Sequence, residues 1–238
     1  MSSLYLFRHG QAGSRDRYDA LSELGHQQTV RLGRYLAGQR MRFTAFYCGE
    51  LQRQRETARR IAEAFAEAGL EMPEAVVDRR WNEFDLDAVY RGIAPQLAAD
   101  NPEFGAAYEA MQREAANPHS TVHRRWTQSD IEVVRAWVDG RYTYDGESWM
   151  EFRERVRSAF STVREHGQGE VVAVSTSATP IGVWMGLALE LSNRHIMRAA
   201  GALYNASITS FRIREGEPHL AAFNHVPHLD AAELRTFR

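Results

Sequence analysis

The chain has 238 residues, 44% hydrophobic and 25% charged, with 29 basic against 31 acidic side chains and a net charge of −2. That length and apolar content support one large domain, or one domain carrying an insertion, and the balanced charge gives no global reason to expect nucleic acid or an anionic membrane as a partner. A single cysteine, Cys48, excludes an internal disulfide, no window approaches the roughly 20 apolar residues of a membrane span, and the N-terminus lacks the basic flank and apolar stretch of a signal peptide, so a cytoplasmic location is expected. There is no lysine. Every fixed positive charge is therefore an arginine, whose planar fork suits phosphate oxygens.

In chain order, Leu4 to Phe7 reads as a buried strand, followed by Arg8-His9-Gly10-Gln11, where Gly10 permits a sharp turn. Ser22 then caps an amphipathic helix marked by Leu24, Val30, Leu32, Tyr35 and Leu36 and ending near Gly38. Phe43 to Tyr47 predicts a second strand, Leu51 to Ala68 a helix stopped by Gly69, and Ala75 to Val77 a third strand. From about 85 to 146 the period is broken by prolines and scattered aromatics, which predicts an insertion. Ser148 and Glu151 have capping-box spacing, and Trp149, Phe152, Val156, Phe160 and Val163 mark one face of the next helix. Val171 to Val174 is an apolar strand, Ile181 to Leu191 an apolar helix with Pro180 in its first turn, and strands near Ile208 to Ile213 and Leu220 to Phe223 complete the chain. Alternating strands and helices predict an α/β three-layer sandwich with a mainly parallel central sheet, and the 85–146 region as a helical cap over the strand ends.

Three chemical groups fall just after strands. His9 is a candidate nucleophile. The segment Glu50 to Ala58 places Arg53 at a helix N-terminus, where backbone amides and the helix dipole favour an anion, although a solvated arginine-rich face has the same spacing. Glu83, between Trp81 and Phe84, is a candidate proton donor whose pKa an apolar setting would raise.

Taken together, the Arg-His-Gly triplet, the Leu-x-Arg-x-x-x-Thr-Ala pattern from Leu51 to Ala58, and a glutamate after the third strand closely resemble the histidine phosphatase superfamily, the phosphoglycerate-mutase-like fold. The resemblance extends through Tyr18-Asp19-Ala20-Leu21-Ser22 and Asn205-Ala206-Ser207-Ile208-Thr209. It implies a metal-independent phosphomonoester hydrolase that needs no cofactor and acts on a small phosphorylated substrate. His9 would become phosphorylated, Arg8, Arg53, Ser177 and Gln11 would bind phosphate, and Glu83 would protonate the leaving oxygen and then activate water. A non-catalytic phosphate-binding or regulatory protein is the alternative. A mutase ranks below both, since Gln11 stands where that branch carries glutamate.

One departure stands out. The family's fourth strand ends in a second histidine followed by two small residues, whereas this chain reads Val174-Ser175-Thr176-Ser177-Ala178-Thr179-Pro180-Ile181. Anchoring on Ile181 puts Ser177 at that place, a one-residue slip puts Thr176 there, and His225 or His228 are further candidates to supply an imidazole. A serine hydroxyl donates one hydrogen bond but no charge, which predicts weakened catalysis. Of the remaining polar groups, His119 and His123 are spaced as a pair but lack a neighbouring carboxylate, so no metal is expected. Trp126, Trp137, Tyr142 and Tyr144 either line a substrate pocket or anchor the insertion. Cys48, without a partner base, reads as buried and inert.

Overall fold

The computed structural model describes residues 2–13, 19–115, 127–165 and 169–237. His119, His123, Trp126 and Tyr18 lie outside the described residues. The chain divides into two compact units, Met1–Glu83 together with Arg155–Arg238, and Phe84–Glu154.

The first unit is built on β1 (Ser2–Arg8), β2 (Ala45–Cys48), β3 (Ala75–Val77), β4 (Val171–Thr176), β5 (Ile208–Arg214) and β6 (Glu217–His225), in the order β3-β2-β4-β1-β5-β6. The β3, β2, β4 and β1 pairings are parallel, and β5 runs antiparallel to both β1 and β6. Between the strands run α1 (Glu23–Gly38), α2 (Gln52–Glu67), α7 (Phe160–Glu165), α8 (Ala178–Leu189) and α9 (Asn193–Gly201).

The run from Leu4 to Phe7 is apolar throughout because both faces of β1 are covered. On one face, Tyr5 and Phe7 meet Phe43 edge-on, in a core shared with Leu32 and Leu36 of α1 and Ile61 and Phe65 of α2. On the other, Leu4 pairs with Phe211, which packs on Trp184 of α8, itself stacked on Trp81. The sandwich expected from the sequence is thus formed. Its parallel strands end together at Arg8, Cys48, Val77 and Thr176, where open α/β sheets bind ligands.

Several boundaries differ from the sequence reading. β2 starts at Ala45, because Thr44 spends its hydroxyl and amide on the backbone of Val171. The helix expected from Trp149 through Val163 is two helices, α6 (Trp149–Ser158) and α7, parted at Ala159. Helix α9 has no counterpart in the sequence reading, since it buries only Ile196 and Ala200, too few apolar positions to show a period. It packs closely on α8, where a Cβ at Gly182 would lie 2.9 Å from the Ile196 carbonyl oxygen.

The second unit holds α3 (Leu86–Asp100), α4 (Pro102–Ala115), α5 (Gln128–Val138) and the start of α6. The period is broken by Pro95 inside α3, while Pro102 takes the first position of α4, where a missing N–H costs nothing. Trp137, Tyr142 and Tyr144 make contacts inside this unit: Trp137 packs on Phe84, Trp149 and Phe152, and its Nε1 donates to the Glu147 carbonyl. Tyr144 donates to that same carbonyl and Tyr142 to Asp100. Among the described residues no helix is long and apolar enough to cross a membrane.

Candidate active site

The backbone of His9 is pinned on both sides. Its N–H donates to the carbonyl of Thr176, the last residue of β4, and its own carbonyl accepts from Ala206 N at 3.1 Å. Gly10 N donates to Thr57 Oγ1 at 3.2 Å, which ties the turn to α2. Gly10 is required for close approach, not for a left-handed turn: a Cβ there would lie 2.5 Å from the Gly25 carbonyl oxygen and 2.8 Å from Thr29 Cγ2. The N-terminal turn of α1 therefore presses directly on the Arg8-His9-Gly10 triplet.

The ring of His9 has two partners that fix its tautomer. Nδ1 lies 2.7 Å from the Gly10 carbonyl oxygen, which can only accept, and Nε2 lies 3.2 Å from Arg53 Nε, which can only donate. Nδ1 thus carries the hydrogen and Nε2 the lone pair. Burial, with the positive charges of Arg53 and Arg8 behind it, holds the imidazole pKa well below the ordinary 6.5 against the opposing pull of the Gly10 carbonyl, so the ring is neutral at pH 7.

The two arginines have different partners. Arg53, at the start of α2 and buried, bonds His9 through Nε and Asp19 Oδ1 through NH1 at 2.9 Å. Arg8, also buried, donates from NH1 to the Leu203 carbonyl and from NH2 to the Phe237 carbonyl at 2.6 Å. The second bond comes from a C-terminal tail in which the sequence shows no strand or helix. Thr236 bonds Asn205 through both its backbone carbonyl and its hydroxyl, Gln28 Nε2 donates to the Leu234 carbonyl and to Thr236 Oγ1, and the Phe237 ring packs on Tyr204. Gln28 also accepts from Gln11 N, so one buried amide joins the tail to the loop after His9.

Glu83 follows the 3-10 turn Arg79–Trp81 and accepts through Oε2 from Thr179 N, in the first turn of α8. Ser177 is the N-cap of α8 and has no exposed surface. Its hydroxyl accepts from Gln54 Nε2 at 2.8 Å, and the same amide nitrogen donates to the Trp81 carbonyl. Thr176 turns its hydroxyl onto the Trp81 carbonyl as well. The Thr176 hydroxyl is therefore spent inside the protein, and that of Ser177 is engaged there as an acceptor. Gln11 likewise gives its side-chain oxygen to Ser22 Oγ.

The two C-terminal histidines, the other candidates for a second imidazole, have different surroundings. His225 is exposed at the end of β6, separated from β1 by β5, a spacing of about 9.5 Å across two strand gaps. His228 is buried beside Tyr35 near the far end of α1, where burial lowers its pKa to about 4, offset in part by the Ala206 backbone. Cys48 is buried, and desolvation pushes its thiol up to about 11. Among the described residues no group of three or more histidine, cysteine or acidic side chains is gathered as a metal site.

Gln54 and Gln28 are site residues that the motifs do not single out, yet each carries a signal. Both are polar residues on the buried face of an amphipathic helix, Gln54 in step with Ala58 and Ile61, and Gln28 with Leu32. A polar side chain there must find an internal partner.

The sequence profile of the histidine phosphatase superfamily (branch 1) matches residues 4–129 and 103–226. A comparison with curated proteins returned no match. Among solved structures, YhfR of Bacillus stearothermophilus superposes with a TM-score of 0.67 at 19% identity, covering 97% of this chain and 100% of its own. A phosphoserine phosphatase from Entamoeba histolytica, in complex with 3-phosphoglyceric acid, gives 0.60 at 20% identity over 96% and 100%. The mycobacterial glucosyl-3-phosphoglycerate phosphatase Rv2419c gives 0.56 at 23% identity over 93% and 98%. At these identities the structures speak for a shared fold, and the profile, which spans most of the chain, carries the assignment: this chain belongs to the histidine phosphatase superfamily.

Proposed function

We propose that the chain is a phosphomonoester hydrolase acting through a phosphohistidine at His9. The observation that carries this reading is the state of the His9 ring: neutral, with its Nδ1 hydrogen held by the Gly10 carbonyl and its Nε2 lone pair facing Arg53. In the first step Nε2 attacks phosphorus in line and the P–O bond to the leaving group breaks. Glu83, as the acid, gives its proton to the departing oxygen. The Gly10 carbonyl supports the positive charge that develops on the ring through Nδ1–H. Arg8 and Arg53 bind the equatorial oxygens and offset their charge. In the second step water attacks phosphorus, Glu83 takes its proton, and the P–N bond breaks, returning the lone pair to Nε2 and releasing inorganic phosphate.

The chemistry resides in these side chains and calls for no metal or cofactor. Ser177, with no exposed surface, reaches the anion only by moving, whereas the Ser22 bond occupies the side-chain oxygen of Gln11 and not the amide N–H groups that would donate to phosphate. The neighbours named for phosphoserine and glucosyl-3-phosphoglycerate support a small phosphorylated metabolite as substrate.

The test is release of dye from p-nitrophenyl phosphate between pH 5 and 8, with acid-labile, base-stable labelling of the protein. Turnover and label are expected in the native protein and absent in His9→Ala; equal rates in the two defeat the proposal. A second reading, a phosphate-ligand-binding protein without useful turnover, is favoured by the closed state of Ser177. Calorimetric binding of sugar or nucleotide phosphates without hydrolysis selects it.

A further inference from the structure

Arg8 donates to the backbone carbonyls of Leu203 and Phe237. Arg53 is held by a carboxylate, with NH1 donating to Asp19 Oδ1 at 2.9 Å. The other oxygen of that carboxylate, Oδ2, accepts from the backbone N–H of Gln52, the first residue of α2, at 3.0 Å. One side chain thus makes the two contacts, a guanidinium and a helix N-terminal amide, that an incoming oxyanion would make at the same place.

We propose that Asp19 is an internal competitor for the substrate phosphate: it occupies the anion position on Arg53 and Gln52 N in the resting protein and leaves when phosphate binds. The proposal rests on the reading of Arg53 as a phosphate ligand. The Asp19 side chain is 51% exposed and that of Arg53 only 7%, so a solvated carboxylate reaches in from the surface onto a buried cation. An ion pair with one partner so exposed is weakly held and displaceable, and a phosphate dianion brings more charge and more acceptor oxygens to the same guanidinium. Asp19 cannot simply stay, because its charge would then lie against that of the phosphate.

The arrangement reaches the nucleophile as well. The Arg53 guanidinium that Asp19 holds through NH1 also covers the His9 Nε2 lone pair through Nε. Transfer of Arg53 from carboxylate to phosphate therefore frees the lone pair when there is phosphorus for it to attack. Asp19 sets the apparent affinity for phosphate and keeps the free His9 covered.

The opposite role, in which Asp19 merely steadies Arg53 for its ligand, predicts the opposite sign, and binding separates the two. Inorganic phosphate is titrated calorimetrically into the native protein, Asp19→Asn and Asp19→Ala at pH 7.5 and low salt. Removing the competing charge is expected to tighten phosphate binding about three- to tenfold in both variants, with the gain shrinking as salt is raised. Measurable but equal or weaker binding in both variants overturns the role of Asp19 and leaves the hydrolase reading standing. No phosphate binding by any of the three proteins overturns the anion site and the competitor with it.

Discussion

Replacing Gln28 with leucine tests whether its side chain fastens the C-terminal tail to the loop after His9. Gln28 is fully buried, and its amide makes three bonds: it accepts from Gln11 N at 2.8 Å and donates to the Leu234 carbonyl at 2.8 Å and to Thr236 Oγ1 at 2.9 Å. Leucine has a similar volume, so the change costs little in packing, and the loss is that of the bonds. Thr236 keeps its hydroxyl bond to Asn205, but the Gln11 N–H and the Leu234 carbonyl lose the Gln28 amide. At roughly 1–3 kcal/mol for each stranded group, the expected cost is about 3 kcal/mol. For a chain of 238 residues, an unfolding entropy of about 0.5 kcal/mol/K turns that into a fall in Tm of about 6 °C.

The location of the damage is as diagnostic as its size. The tail holds Arg8 through the Phe237 carbonyl and receives the Asn205 N–H through the Thr236 carbonyl, so loosening it should speed exchange of the Asn205 amide before the sheet opens. Thermal unfolding gives the first quantity, and hydrogen exchange by mass spectrometry over residues 203–207 and 232–237 gives the second. A Tm within about 1 °C of the native value, with exchange unchanged in both segments, refutes the fastening.

The proposed roles separate in other variants. Glu83→Gln keeps an acceptor for Thr179 N but has no carboxylic proton, so kcat should fall about 100- to 1000-fold on alkyl phosphates and far less on p-nitrophenyl phosphate, whose leaving group needs no proton; equal losses on both refute the acid role. Arg53→Lys keeps the charge but replaces a planar fork that spans His9 and Asp19 with a point donor, and kcat/KM should drop about 100-fold or more. His228, held near 4 by burial, binds a proton more readily unfolded than folded. Its contribution is therefore absent above about pH 6.5 and becomes a destabilisation of about 3 kcal/mol as pH falls through 4. In denaturant titrations from pH 7 to 4, His228→Leu should lose stability less steeply than the native protein, and parallel curves would assign the acid sensitivity elsewhere.

Local patterns are what the sequence displays. Apolar runs at strand spacing, helices with inward stripes, and the positions of His9, Arg53 and Glu83 just past strand ends can each be read from a few neighbouring residues, and a parallel sheet brings all such ends to one edge. What the sequence conceals depends on partners far apart in the chain. Nothing near Arg8 indicates that its guanidinium is held by Phe237, 229 positions away, and nothing near Ser177 indicates Gln54, 123 positions away. Asp19 is legible only as part of a matching stretch, since its meaning lies in the charge it faces. Helix α9 is hidden for another reason: two buried side chains in nine residues carry no period.

The place of the second histidine shows how burial decides between roles that chemistry alone leaves equal. Ser177 is expected from the sequence to donate to phosphate, and its hydroxyl is chemically able to. Yet the residue has no exposed surface, and a side chain that water cannot touch cannot meet a solvated anion without moving first. Moving it breaks the bond from Gln54, whose amide cannot turn to compensate, because its nitrogen is also needed by the Trp81 carbonyl. That bond is worth about 1 kcal/mol, comparable with what one neutral donor returns at a phosphate oxygen, so Ser177 gains nothing by leaving its place. Ser177→Ala should therefore lower stability by about 1 kcal/mol and change kcat/KM by less than about threefold. A tenfold loss in kcat/KM at unchanged stability would show that the hydroxyl does reach the transition state. That smaller effect would leave Arg8 and Arg53, in the proposed mechanism, as the principal positive charges acting on the transferring group.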